Sequence, residues 1–133
     1  MYELTQADMI WNRACGQDPV RTHRGDRALT DLLVLHGLAM NGGVLHAVEC
    51  LTPGELYDSK AGYQFYRLDD VACLLSHART LLETDDNLEF HESQLDRQYA
   101  DIIPDDASLF ERFREHLRAN PSEYAPLRAQ DVV

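Results

Sequence analysis

The residues of this chain whose types and spacing point to chemistry are carboxylates. Between Glu83 and Asp106 lie nine acids (Glu83, Asp85, Asp86, Glu89, Glu92, Asp96, Asp101, Asp105, Asp106) and one base, Arg97. That gives a net −8 over 24 residues of a chain whose total is −11. Asp85, Glu89, Glu92 and Asp96 are spaced by four, three and four, so a helix through them presents all four on one face. Like charges at that spacing destabilise an isolated helix by about 0.2–0.5 kcal/mol per pair. A merely solvated face mixes in bases, as Glu111, Arg112, Arg114, Glu115 and Arg118 do further on. A concentrated acidic face repels nucleic acid and anionic membrane and attracts a basic protein surface. Asp85, Glu89, Glu92, Asp96 and Asp101 are the contact set this reading selects, and a solvated face with helix caps is its rival. Asp85, Asp86, Asp105 and Asp106 fall where helices should start, and there carboxylates satisfy backbone N–H groups. Four acids on a helix of about 15 residues also give one charge per about 5–6 Å of axis. Duplex DNA carries one per about 1.7 Å.

Other constellations carry less. His46 and Glu49 form an H-x-x-E pair one turn apart, with His36 on the preceding helix, a set that suits a divalent metal. It lacks the second Glu-x-x-His of a dinuclear site, and a core or turn histidine is the plainer reading of each. No G-x-S-x-G elbow, phosphate-cradling glycine loop, paired zinc cysteines or H-E-x-x-H occurs, so no catalytic residue and no cofactor is assigned and the chain reads as non-enzymatic. Cys15, Cys50 and Cys73 are scattered and odd in number. Cys50 and Cys73 read as small buried hydrophobes, and with no export signal at the start of the chain the expected compartment is a reducing cytoplasm. Arg21, Arg24 and Arg27 are the only basic cluster of the N-terminal half, available to the chain's own acids or to a second subunit.

The elements that position these groups are all helical. The organising stretch is Asp26–Thr52. Ala28–Met40 is apolar on nearly every side and reads as a helix buried all round. Asn41-Gly42-Gly43 supplies a sharp turn, because Asn and Gly tolerate the left-handed conformation. Val44–Leu51 then folds back as a short helix with Glu49 but no Arg or Lys, so it cannot hold phosphates as a DNA-reading helix does. Before this unit, Leu4–Cys15 is a helix with a Thr5/Asp8 capping box and Gly16 at its end, and Gln17–Asp26 is a loop. After it, Thr52-Pro53-Gly54-Glu55 starts a helix expected to stop near Ser59, before Gly62. Asp69–Leu82 and Leu88–Ile102 are amphipathic, the second with Leu88, Leu95, Tyr99 and Ile102 as its stripe. Asp105 or Asp106 caps a last long helix with Leu109, Phe110, Phe113 and Leu117 inside. Asn120-Pro121 ends it, and Ser122–Leu127 adds one turn. The expectation is an all-α chain of six or seven helices, residues 1–133 forming a single domain. No apolar run approaches the roughly 18–20 residues that span a bilayer.

Three of these segments resemble a known family. Asn41-Gly42-Gly43 followed by Val44-Leu45-His46 resembles the N-G-G-F-x-Q turn of a bacterial domain of unknown function, the C-terminal domain of the DNA-mimic protein family. Leu95-Asp96-Arg97-Gln98-Tyr99 resembles its L-D-x-x-Y segment, and Ala119–Tyr124 its H-P-x-x-F/Y ending. The match in helix order runs from about Asp26 to Leu127. The chain departs from the pattern at Leu38, where the family has an acid, at Val44, where it has Phe, and at His46, where it has Gln. The resemblance implies an all-helical fold, self-association as a dimer, no catalysis, and carboxylates that occupy the DNA-binding surface of a transcription regulator. The same acidity also suits an immunity-type protein that covers the basic active site of a toxin nuclease. Either way the expected partner is a basic protein, with no direct nucleic acid and no membrane.

Overall fold

The computed structural model describes residues 4–84 and 87–132. Its helices are α1 (Gln6–Cys15), α2 (Arg24–Gly42), α3 (Val44–Cys50), α4 (Pro53–Phe65), α5 (Asp69–Thr84), α6 (Leu88–Ile102) and α7 (Asp106–Ala119), followed by single 3-10 turns at Pro121–Glu123 and Ala129–Asp131. Among the described residues there is no strand, and the helices form one compact all-α domain.

Local signals start several of these helices. At α1, Thr5 Oγ1 accepts from the Asp8 N–H while the Asp8 carboxylate accepts from the Thr5 N–H. Thr52 and Glu55 repeat that reciprocal cap at α4, with Pro53 in the first turn, where its missing N–H leaves nothing unsatisfied. Asp105 caps α7 through the Ser108 N–H at 2.8 Å. Between α2 and α3 only Gly43 leaves helical geometry, at φ 94°. Asn41 and Gly42 remain in the helix, so the turn needs one left-handed residue rather than three permissive ones. Gly42 is small for a different reason: a Cβ there would lie 2.3 Å from the His46 ring.

α2 is the hub, packed against α1, α3 and α4, with Leu29, Leu32 and Leu35 fully buried beside Ile10, Tyr63, Leu75 and Phe113. It is not buried all round, however. Val34 is 49% exposed and Met40 56%, because no element among the described residues covers them. α4 also departs from expectation. It runs six residues past Ser59, to Phe65, and takes Gly62 and Tyr63 into its buried face. Gly62 breaks nothing, because it lets α4 approach the backbone of α2 at Ala28 and Leu32. α2 begins at Arg24, inside the segment expected as loop. After α7 the turn falls at Pro121–Glu123, one residue earlier than expected, and Tyr124 and Ala125 are then buried in extended chain. Cys50 and Cys73 are exposed, contrary to expectation, each on the outward side of its helix.

Among the polar groups buried with this core, the Arg13 guanidinium links distant parts of the chain. Arg13 on α1 donates to Asp26 Oδ1 at 2.7 Å, to the Ala125 and Pro126 carbonyls at 3.1 Å, and to Asp131 at 3.3 Å. Asp26 Oδ2 accepts from the Ala125 N–H at 2.7 Å. α1, α2 and the C-terminal segment are therefore joined through one guanidinium.

Candidate functional surface

α6 carries the acidic segment, and its phase follows from its apolar stripe. Leu95 and Tyr99 are buried, with Leu88 and Ile102 partly so, which turns the opposite side of the helix to solvent. At about 100° per residue, Glu89, Glu92 and Asp96 fall together on the flank beside α3. Asp101 falls about 120–180° around the helix from them, on the same line as Phe90. Four members of the expected contact set can therefore be placed, three on one flank and one apart. Asp85 lies outside the described residues, as does Asp86.

The flank does not use all its carboxylates alike. Asp96 Oδ1 accepts the Val44 N–H at 2.8 Å, the first N–H of α3. Its two oxygens lie 3.0 and 3.1 Å from where a Cβ on Gly43 would stand, which gives that glycine a second reason to be one. Asp96 thus fastens α6 to the α2–α3 turn, and a carboxylate there complements the end of α3 electrostatically as well as by hydrogen bonding. Asp96→Ala should lower the stability by about 0.5–2 kcal/mol, read as a shift of the urea midpoint. A variant as stable as the parent protein would remove this role.

The remaining acids divide the same way. Glu83 pairs with Arg79 at 3.0 Å along α5. Asp105 caps α7, and Asp106 accepts from His36 at 2.7 Å. Among the described residues no ion pair involves Glu89, Glu92 or Asp101, and all three are exposed. Phe90 is 69% exposed, its ring edge-on to His91, and lies on the line of Asp101 about three turns away rather than on the flank of Glu89 and Glu92. Sequence reasoning passed over Phe90. The signal for it was its phase, since an aromatic roughly opposite the Leu95/Tyr99 stripe has nothing in its own helix to bury it.

The histidines do not converge. Both ring nitrogens of His36 are occupied: Nδ1 lies 2.7 Å from the Tyr99 hydroxyl and Nε2 2.7 Å from Asp106. The Tyr99 hydroxyl is also 2.7 Å from that of Tyr63. A consistent chain has Tyr63 donating to Tyr99, Tyr99 to His36 Nδ1, and His36 Nε2–H to Asp106. Burial pushes both tyrosine hydroxyls well above their ordinary range, so they stay neutral donors. His46 lies over Gly42 with its ring nitrogens 3.6 and 3.7 Å from the Cys50 sulfur, and Glu49 is exposed nearby. Among the described residues no group of three or more His, Cys, Asp or Glu is placed to hold a metal ion, so the His36/His46/Glu49 set is not assembled. The arginine cluster bonds to groups of its own chain while staying exposed. Arg21 forms a two-pronged pair with Asp31 at 2.8 and 3.1 Å, Arg24 faces Glu123 at 3.6 Å, and Arg27 donates to the Arg21 and Thr22 carbonyls.

No helix among the described residues is long and apolar enough to cross a membrane. Comparison of the chain with family models, with curated proteins and with solved structures yields no match, so the likeness to the DNA-mimic family rests on the three short motifs alone.

Proposed function

We propose that this chain is a non-enzymatic binding module that engages a basic, nucleic-acid-binding protein through α6. The observation that carries this reading is the exposure of Glu89, Glu92 and Asp101, with no cationic partner among the described residues, in a chain whose arginines pair with other acids. Phe90 strengthens it. Interfaces draw most of their energy from a few large anchors, and an exposed aromatic on a helix that also carries exposed carboxylates supplies one such anchor. The carboxylates supply steering and register, and the ring supplies desolvated contact area. Because α6 holds fewer charges per length than a duplex, it imitates a phosphate lattice only in part, and the Phe90 ring would add contact that a duplex backbone does not offer. The resemblance of the Asn41–His46 turn and the Leu95–Tyr99 segment to the DNA-mimic family supports the same class of partner.

The test is a triple variant, Glu89→Gln/Glu92→Gln/Asp101→Asn, beside Phe90→Ala. Partners are taken from a native lysate at low salt, eluted with a salt gradient, and then challenged with duplex DNA as competitor. The parent protein should retain basic proteins that DNA displaces. The triple variant should lose them while melting at the same temperature, and Phe90→Ala should weaken the purified complex by about tenfold or more. Capture that survives the triple change, or that DNA does not disturb, removes the proposal. Asp96 is left out of the set because its loss unfastens α3.

A further inference from the structure

The connection between α4 and α5 carries the one left-handed residue among the described residues that is not glycine, Arg67 at φ 61°. The Leu68 N–H donates to the Tyr63 carbonyl and the Arg67 N–H to the Gln64 carbonyl, each at 2.9 Å. That pair of bonds closes a helix through a left-handed residue, usually glycine, since a side chain there crowds the backbone. An arginine therefore stands where the fold alone favours glycine, and a strained residue of this kind points to a use for its side chain. Nothing in its own chain supplies that use: among the described residues neither Arg67 nor Arg112 of α7 forms an ion pair or a side-chain hydrogen bond. Both line one cleft of about 330 Å3, at the lower end of the range of small-ligand sites. Phe65 and His116 add an aromatic wall to the same lining, their ring centres 4.5 Å apart. The His116 ring is held by Tyr124, whose hydroxyl lies 2.9 Å from Nδ1. Burial lowers the pKa of this imidazole, Glu123 opposes that, and Arg24 and Arg67 add to it, so the ring is uncharged at neutral pH. Glu115 is the single carboxylate of the lining, against two guanidinia. In a chain of net −11, a cleft with an excess of positive charge selects locally for an anion.

We infer that this cleft binds a small phosphate monoester carrying a planar ring, with the phosphate held by Arg67 and Arg112 and the ring laid against Phe65 and His116. A monoester carries a charge of about −1.5 to −2 at neutral pH and presents three acceptor oxygens, which suits two forked guanidinia without other partners. A carboxylate would leave one of them unmatched. Glu115 limits the negative charge the cleft accepts, and so turns it away from polyphosphates and from a nucleic-acid strand. A cleft of this size is filled by a ring and one phosphate, which favours a free small molecule over a phosphorylated protein segment. The lining shares no residue with α6, so the inference is independent of that surface.

Phenyl phosphate is the probe, with inorganic phosphate and benzoate as partial ligands. The full isotope-labelled chain is titrated with each, following the backbone amides of Arg67, Arg112 and His116. Phenyl phosphate should give a saturable shift confined to the α4–α5 connection and α7. Inorganic phosphate and benzoate should each bind at least about fivefold more weakly. Arg67→Gly separates the side chain from the backbone it strains. It should raise the urea midpoint, because glycine takes the left-handed conformation freely, and yet weaken phenyl phosphate by about tenfold or more. Arg112→Gln should bring a similar loss of affinity with the midpoint unchanged. The inference is overturned if phenyl phosphate does not saturate, if either partial ligand binds as tightly, or if Arg67→Gly keeps the affinity of the parent protein. It is equally overturned if a phosphotyrosine peptide binds more tightly than phenyl phosphate, for then the ligand belongs to another protein chain.

Discussion

Arg13→Met should destabilise the protein by about 3–5 kcal/mol, with a fall in melting temperature of about 10 °C or more. The guanidinium is almost entirely out of water, its side chain 1% exposed and that of Asp26 3%. Removing the cation leaves Asp26 buried without its partner, and the loss reflects that stranded charge more than the worth of the pair. It also frees the Ala125 and Pro126 carbonyls and one contact to Asp131, so the C-terminal segment should become a protease target before the helices do. A double change, Arg13→Met with Asp26→Leu, should recover a good part of the loss, since replacing a whole buried pair with apolar groups is often near neutral. The recovery is limited by the Ala125 N–H, which then lacks its acceptor. A second signature comes from acid. Hydrogen bonding to Arg128 holds the Asp131 carboxyl far below the usual carboxylate range. A depressed carboxyl contributes stability above its unfolded value and loses it as pH falls through the folded one. The C-terminal strap should therefore hold through mild acid and loosen only well below pH 4, the ordinary range for Asp. A loss under about 1 kcal/mol in Arg13→Met would mean that the pair is solvated and the strap held by packing alone.

What could be read beforehand follows the range of the interaction involved. The α6 boundaries, Leu88–Ile102, came from a single apolar stripe within the helix itself, and the Thr5/Asp8 and Thr52/Glu55 caps from residues three apart. Each is decided locally, so sequence and structure agree. Where the deciding partner is remote, they part. Asp96 shares the spacing of Glu89 and Glu92, yet its partner is an N–H 52 positions away, and nothing in the spacing distinguishes a fastener from a free carboxylate. Arg13 and Asp26 sit in a helix and at a helix start, ordinary places for charges. Their burial is set by chain 99 and 113 residues further on. The apolar run Ala28–Met40 reports that α2 is central but not that one of its sides lacks a cover, since coverage depends on where α1 and the following loop come to rest. The acidic face itself was legible as composition. Which of its members stay unpaired depended on partners that only the packed helices bring near.

Gly62→Ala should destabilise the protein by about 1–3 kcal/mol, while Gly37→Ala should stabilise it by about 1 kcal/mol. Both glycines are interior to helices, and both substitutions gain the same helix propensity. The sign is decided by what the new methyl meets. At Gly62 it would lie 2.5 Å from the Ala28 carbonyl oxygen, 3.2 Å from the Leu32 N and 3.3 Å from the Leu32 Cβ. Two of those atoms are backbone of the hub helix and cannot rotate aside, so α4 must slide or lift along its whole contact with α2. That contact seats Tyr63, whose hydroxyl meets Tyr99 of α6, so the displacement reaches the helix that carries the acidic flank. At Gly37 the methyl meets nothing within 4 Å, and only the propensity gain remains. Paired urea unfolding of the two variants measures both signs in one experiment, and unchanged slopes confirm that the same surface is exposed on unfolding. A neutral or stabilising Gly62→Ala would show that the α2–α4 crossing has slack. In that case the glycine's only effect in α4 would be the one expected from sequence, a weak point in a helix that nonetheless runs on to Phe65.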